Sequence, residues 1–299
     1  MKLMKTISAS VAAVLCASAM IAAPASAAED IMTFRMDADN TYVSLGQLED
    51  GDAVLKGAVY IDNYTGLSYL RLMLKSSEPI VIENGDFTRN PDKKDASGEL
   101  VHKLFEKHDQ TEYMQHSEET GESNVVLWYA EDYYHDKTAV QTDPASSFVH
   151  FDVRVPKDTK VGDYKCYIST EVQKNIADLL EEDFFAYAGK DQLELDKTVA
   201  LKALPISVFE RGDVNCDGEV DVMDAQNALK LYTNEIVAGL TLSEEEQKNT
   251  LGTEHIRAAR RAADILGDGE VDVMDAQGIL RYYTDKYAGL SVEWEQYFK

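Results

Sequence analysis

The first two-thirds of the chain carries eight short apolar runs, either alternating with polar residues or solid, each bounded by Gly, Pro, Asn or Asp. They read "IMTFRM", "AVLKGAVYID", "SYLRLMLK", "PIVIE", "NVVLWYAE", "SFVHFDVRVP", "DYKCYIST" and "VALKALPISVF". A period of two is the mark of strands with one buried face, and several such strands at short intervals predict an all-β sandwich. A polar insertion over 85–123 interrupts them. A short helix is predicted there at "GELVHKLFEKH", with His102 and His108 on its surface, and a second helix at "TEVQKNIADLLEEDFFAYA". Trp128, inside a strand pattern, reads as core.

Past residue 210 the period changes to that of helices. "VMDAQNALKLYT" places Val222, Ala225, Leu229 and Tyr232 on one stripe, and "VMDAQGILRYYT" repeats it with Val273, Ala276, Leu280 and Tyr283. The stretch between them is mostly helical, with Ser243 as N-cap before three glutamates. "LPISVFERG" before the first unit reads as a strand. The tail "LSVEWEQYFK" gathers Trp294, Tyr297 and Phe298 on one side, a clasp for the start of this region near Phe209.

The sequence "DGEVDVMDAQ" occurs at Asp217 and again, letter for letter, at Asp268, 51 residues later. With its upstream residues the first copy is "DVNCDGEVDVMD". Asp213, Asn215, Asp217, Asp221 and Asp224 fall at places 1, 3, 5, 9 and 12 of a 12-residue loop. Gly218 sits at the sharp turn, and Glu219 at place 7 offers its main-chain carbonyl. This is the spacing of an EF-hand loop, in which alternate oxygens wrap a hard cation, Ca²⁺. The second copy, "DILGDGEVDVMD", keeps Asp264, Asp268, Asp272, Asp275 and the carbonyl of Glu270. Leu266 at place 3 supplies no oxygen, so the second site is expected to be the weaker of two calcium sites. Each unit is loop then helix, a half EF-hand.

Duplicated calcium loop-helix units with Asp at place 12 resemble the dockerin modules of cellulosomes, and the resemblance covers about residues 211–299. It implies a calcium-dependent plug for a cohesin domain on a scaffold protein. Met223 and Met274 stand about 100° around the helix from the valine stripe. Lys230 and Arg281 lie seven residues further along the same face. The resemblance places cohesin contact on these four residues, and the near identity of the copies implies that either helix could serve. Two stretches of the sandwich, "LEDGDAVLKGAVYIDNYTGLSYLRLMLK" and "FVHFDVRVPKDTKVGDYKCYI", are similar to the opening and the late hairpin of cohesins. The pair of resemblances implies an adaptor scaffoldin: a cohesin-like jelly roll over 28–210 that receives the dockerin of an enzyme or other subunit, followed by a small all-α dockerin over 211–299.

Charge narrows the partners. With 54 Asp and Glu against 29 Lys and Arg, the chain of 299 residues carries a net charge of −25. That disfavours nucleic acid and anionic membrane surfaces, both of which need a basic patch. The opening "MKLMKTISASVAAVLCASAMIAAPASA" has two lysines, an apolar stretch and an A-x-A site. It reads as a signal peptide over 1–27 and predicts secretion without membrane insertion. Outside it the chain keeps Cys166 and Cys216, for which a disulfide is disfavoured because they fall in different predicted domains. No H-E-x-x-H, G-x-S-x-G or phosphate loop is present, and the adjacent acids Glu131 and Asp132 define no cleft, so the chain reads as non-catalytic. The aromatic cluster around Trp128, Tyr129, Tyr133 and Tyr134 keeps a carbohydrate-binding module as the alternative reading of the sandwich, with a small glycoside hydrolase behind it.

Overall fold

The computed structural model describes residues 31–94, 98–105, 110–117, 122–130, 138–174 and 180–297. In chain order its elements are β1 (Met32–Ala38), β2 (Tyr42–Ser44), α1 (Leu45–Glu49), β3 (Ala53–Asp62), β4 (Tyr69–Ser76), β5 (Val81–Phe87), β6 (Arg89–Lys94), β7 (Leu100–His102), β8 (Gln110–His116), β9 (Ser123–Ala130) and β10 (Val149–Val155). They continue with β11 (Gly162–Ser169), β12 (Val172–Lys174), β13 (Leu180–Glu182), β14 (Phe184–Ala188), β15 (Asp191–Gln192), β16 (Val199–Lys202), β17 (Leu204–Phe209), α2 (Val222–Tyr232), α3 (Glu244–Leu251), α4 (Ile256–Ala263) and α5 (Val273–Tyr287). Each of the eight apolar runs contains a strand.

Two sheets make a sandwich. One is ordered β16-β1-β3-β10-β5. In the other, β15-β14-β4-β11-β17-β2 is extended by β9, which pairs with the second edge of β4, and by β8 beyond it. The alternating residues behave as period two requires. Leu55, Val59 and Ile61 of β3, Leu70, Leu72 and Leu74 of β4, and Val149, Phe151, Val153 and Val155 of β10 all turn into one core. Gly57 is needed inside β3: a Cβ there would stand 2.3 Å from the Phe151 ring. Between β16 and β17 the chain passes from one sheet to the other, pairing parallel to β1 and then antiparallel to β11.

Both helices predicted inside the sandwich are corrected. At Leu100–His102 the chain is a strand, paired with β6. His102 is buried with Leu104 and Phe105 rather than lying on a helix surface; His108 lies outside the described residues. The 85–123 insertion contributes β6, β7 and β8 instead. At 170–188 the described residues form β12, β13 and β14. Strand β11 covers Met73–Ser76 of β4, and β14 covers Tyr69–Leu72 along the same edge. An unpaired row of main-chain groups on β4 outweighs the helix propensity of the Leu- and Ala-rich sequence.

The remaining helices form a second core. Ser243 caps α3 as predicted, its hydroxyl accepting from Glu246 N. The core of this region joins Val214, Val220, Ala225, Ala228, Leu231, Leu251, Ala259, Ala263, Ile265, Ala276 and Ile279. The predicted stripes on α2 and α5 hold at Ala225 and Ala276 but are displaced elsewhere. Ala225, Ala228 and Leu231 are buried, while Val222 and Leu229 are exposed; on α5, Ala276, Gly278 and Ile279 are buried and Leu280 is exposed. Asp224 and Asp275, fully buried in the first turn, set the helix phase. Small residues then face the neighbouring helix and let the two approach closely. Cys166 and Cys216 are both free. Among the described residues no helix is long and apolar enough to cross a membrane. The predicted signal peptide lies outside the described residues.

Candidate cation loops and binding faces

The first loop is organised by its own carboxylates. Asp213 accepts from Asp217 N at 3.1 Å and from Gly218 N at 3.0 Å. Asp224 reaches back across the loop, accepting from Val214 N at 2.7 Å, Asn215 N at 3.0 Å and Asp221 N at 2.8 Å. Asn215 and Asp217 meet through an amide-to-carboxylate bond of 2.7 Å. Asp221 caps α2 by accepting from Met223 N. Glu219 is exposed, one residue after Gly218, whose φ of 91° is the left-handed turn expected there. Val214 and Val220, at places 2 and 8, plug the loop into the helical core.

The second loop repeats this pattern. Asp264 accepts from Gly267 N, Asp268 N and Gly269 N at 2.7, 3.1 and 3.2 Å. Asp275 accepts from Leu266 N and Asp272 N, Asp268 from Glu270 N, and Asp272 from Met274 N. Place 4 is left-handed in both loops: φ is 59° at Cys216 and 74° at Gly267. Two differences stand out. Leu266 packs against the helical core where Asn215 offers an oxygen. Arg261 pairs with Asp264, the first acid of the second loop, at 3.1 Å.

Among the described residues no three acidic, histidine or cysteine groups stand together as a preassembled metal cage. The carboxylate oxygens are held on main-chain N–H groups. Their chemistry nonetheless fits a hard cation. Asp213, Asp224 and Asp275 are fully buried, and none of them forms an ion pair with a Lys or Arg among the described residues. Loss of hydration, with repulsion from Asp224 and Asp217, pushes Asp213 up to about 6 despite the N–H bonds that oppose it. Asp275 is pushed up to about 6, and Asp224 is raised, chiefly by burial. A buried carboxylate held above its ordinary range marks negative charge without a counter-ion.

All four sequence-predicted contact positions lie where a partner could reach them. Met223 is 45% exposed and Met274 49%, and Leu229 and Leu280 accompany them at 44% and 41%. Lys230 is exposed and donates to Asn227 Oδ1 at 3.1 Å. Its counterpart Arg281 is also exposed, its guanidinium 5.6 Å from the centre of the Tyr297 ring. Sequence reasoning assigned Val222 and Leu229 to the core; the buried phase of Asp224 was the signal that places them on the outer face. At the tail, Trp294 stacks on Tyr282 at 3.9 Å. It closes over Gly212, where a Cβ would stand 2.5 Å from the indole. The clasp thus meets the start of the helical region, at Gly212 rather than at Phe209; Phe298 lies outside the described residues.

The outer face of the eight-stranded sheet is the second candidate surface. Tyr129 of β9, Tyr69 of β4 and Phe185 of β14 stack across three strands, with centroids 5.8 and 5.0 Å apart and planes within 13°. Tyr113 on β8 is exposed beside them. Tyr69, in the middle, carries a ring against each of its faces. Trp128 is fully buried as predicted. Tyr133, Tyr134, Glu131 and Asp132 lie outside the described residues.

No protein-family model matches the chain, and no curated protein matches it. Solved structures similar to it include a type II cohesin domain from the cellulosome of Acetivibrio cellulolyticus. That domain is 13% identical with a TM-score of 0.35, over 59% of this chain and 95% of that one. Another is the third ScaB cohesin of R. flavefaciens in complex with a group 1 dockerin, 11% identical with a TM-score of 0.36, over 60% and 96%. A third is the Coh-OlpA-Doc918 cohesin-dockerin complex of Clostridium thermocellum, 12% identical with a TM-score of 0.35, over 59% and 99%.

Proposed function

We propose that this chain is a secreted, non-catalytic assembly protein of the cellulosome kind. Its helical region is a calcium-dependent dockerin that plugs into a cohesin on a scaffold protein, and its sandwich is a cohesin-like socket for the dockerin of another subunit. The observation that carries the reading is the exact sequence repeat together with its repeated exposure. Two loop-helix units fold with closely similar internal bonds and present Met223, Leu229 and Lys230, or Met274, Leu280 and Arg281, on their outer faces. Asp213, Asn215, Asp217, Asp221, Asp224 and the Glu219 carbonyl would hold one ion. Asp264, Asp268, Asp272, Asp275 and the Glu270 carbonyl would hold the other. Bound calcium supplies the positive charge that the buried carboxylates lack.

For the sandwich, the aromatic rings of the outer face favour a protein partner over a polysaccharide. Sugar rings stack on exposed aromatic faces, and here both faces of the central ring, Tyr69, are covered by neighbouring rings. Calorimetric titration of the full chain against cohesin domains, and separately against dockerin domains, tests both ends. Binding of a cohesin in calcium, abolished by EDTA, is expected. Cohesin binding that persists in EDTA would sink the dockerin half. Retention on xylan or cellulose that disappears in Tyr69→Ala or Tyr129→Ala, with no dockerin bound, would replace the socket with a carbohydrate-binding module.

A further inference from the structure

The calcium-loop region meets the sandwich through α4, and a sandwich residue caps that helix. His255, just before α4, makes no side-chain cap. Asp163 of β11 takes its place: its carboxylate accepts from Arg257 N at 2.9 Å and Ala258 N at 3.0 Å, across more than ninety residues of sequence. The Ser207 hydroxyl on β17 donates to the same carboxylate at 2.7 Å and orients it. The Asp163 N–H in turn donates to His255 Nδ1 at 3.3 Å. Along α4, Arg257 donates to the Thr41 hydroxyl at 3.2 Å and lies over the Tyr42 ring. Arg261 lies over Phe209, and Ala258 and Ala262 are buried against Phe209 and Val161.

The other end of α4 touches both loops where they begin. The Ala262 carbonyl accepts from Gly212 N at 2.9 Å, one residue before Asp213. Asp264, the first acid of the second loop, is the C-cap of α4. Cys216, at place 4 of the first loop, packs in the apolar cluster formed by Phe209, Ala258 and Ala262. We propose that Asp163 is a positioning residue for calcium binding. By capping α4 from the sandwich it fixes where both loops start, so the calcium affinity of the helical region depends on a domain that supplies no ligand. This rests on the calcium reading above. By linkage, calcium bound in the loops holds α4 on the sandwich with the same coupling free energy.

The test is calorimetric titration of the full chain with calcium chloride at 25 °C, for the wild type, Asp163→Ala and Asp163→Asn, each shown by circular dichroism to be folded. Loss of a helix cap corresponds to roughly five- to twentyfold in an equilibrium constant. Asp163→Ala is therefore expected to weaken calcium about five- to twentyfold. Asp163→Asn, which keeps an acceptor oxygen, should fall between it and the wild type. Should Asp163→Ala fail to fold, Asp163→Asn and Ser207→Ala carry the comparison, and both are expected to bind calcium more weakly than the wild type. A purely structural role would lower the melting temperature and leave calcium affinity alone. Folded variants that bind calcium within twofold of the wild type overturn the proposal while leaving the loops intact. A wild type that takes up no calcium overturns the proposal and the calcium reading together.

Discussion

His102 lies against the rings of Phe87, Phe105 and Phe148, and both of its ring nitrogens are engaged. Leu104 N donates to Nδ1 at 3.0 Å, so the proton sits on Nε2 and is donated to the Phe148 carbonyl at 3.0 Å. Burial drives its pKa from the ordinary value near 6.5 down to about 4. The folded chain therefore resists a proton that the unfolded chain accepts. The stability held by neutral His102 is complete above pH 6.5 and is lost as pH falls toward 4, about 3 kcal/mol in all. Thermal melts between pH 7 and 4.5 should show the sandwich weakening over that window and His102→Gln flattening the dependence; an unchanged slope in the variant would contradict the assignment. The sequence could not show this, because "LVHKLF" has its apolar residues at spacings that suit a helix as well as a strand. Only the aromatic corner formed with Phe148, far along the chain, decides between them. Leu266 is the opposite case, legible as a missing oxygen but not as a packing residue. Calorimetry should find the first calcium site tighter than the second. Leu266→Asn should narrow the gap while costing about 1 kcal/mol of lost burial. Equal sites in the native chain would contradict this.

At the level of elements, α2 and α5 show what the sequence pattern conveys and what it omits. The existence and equivalence of the two helices follow from the repeat. Their rotation does not, because an apolar-stripe reading gives no weight to a buried carboxylate. Asp224 and Asp275 turn inward to bind main-chain N–H groups, and that pulls Ala225, Ala228 and Ala276 into the interface and turns Leu229 and Leu280 outward. A buried leucine cut to alanine costs about 2–5 kcal/mol, whereas an exposed one changes stability by less than about 0.5 kcal/mol. Leu229→Ala and Leu280→Ala are therefore expected to leave the melting temperature nearly unchanged. The pair Met223→Asp with Met274→Asp should abolish cohesin binding without loss of folding, and either alone should weaken it modestly. A large drop in stability from the leucine variants would restore the stripe reading. Normal cohesin binding by the folded double methionine variant would remove this face from recognition. The β12–β14 segment gives the same lesson in the sandwich, where an open strand edge overrode local helix propensity.

Across the whole molecule, the β-sandwich was legible from its eight apolar runs, and the change to helical period past residue 210 marked where the second core starts. What the sequence did not convey is how tightly the two cores are joined: residues 31–299 cluster as one compact unit, and Asp163, Thr41 and Phe209 reach α4 from the sandwich. These contacts link residues far apart in the sequence and leave no local pattern. The chain's net charge of −25 acts at this scale too, since carboxylates concentrated and buried in the loops repel unless a cation joins them. Circular dichroism in EDTA should show loss of helix with the strand signal retained; a helix signal indifferent to EDTA would contradict a calcium-dependent fold. The most direct test of the central claim is the calcium stoichiometry of the full chain, read by native mass spectrometry after equilibration at about 1 mM free calcium, the weak end of extracellular sites. Two ions per chain are expected, falling to one in Asp224→Asn or Asp275→Asn and to none in the double variant, whereas a wild-type chain that carries no calcium under those conditions would contradict the account.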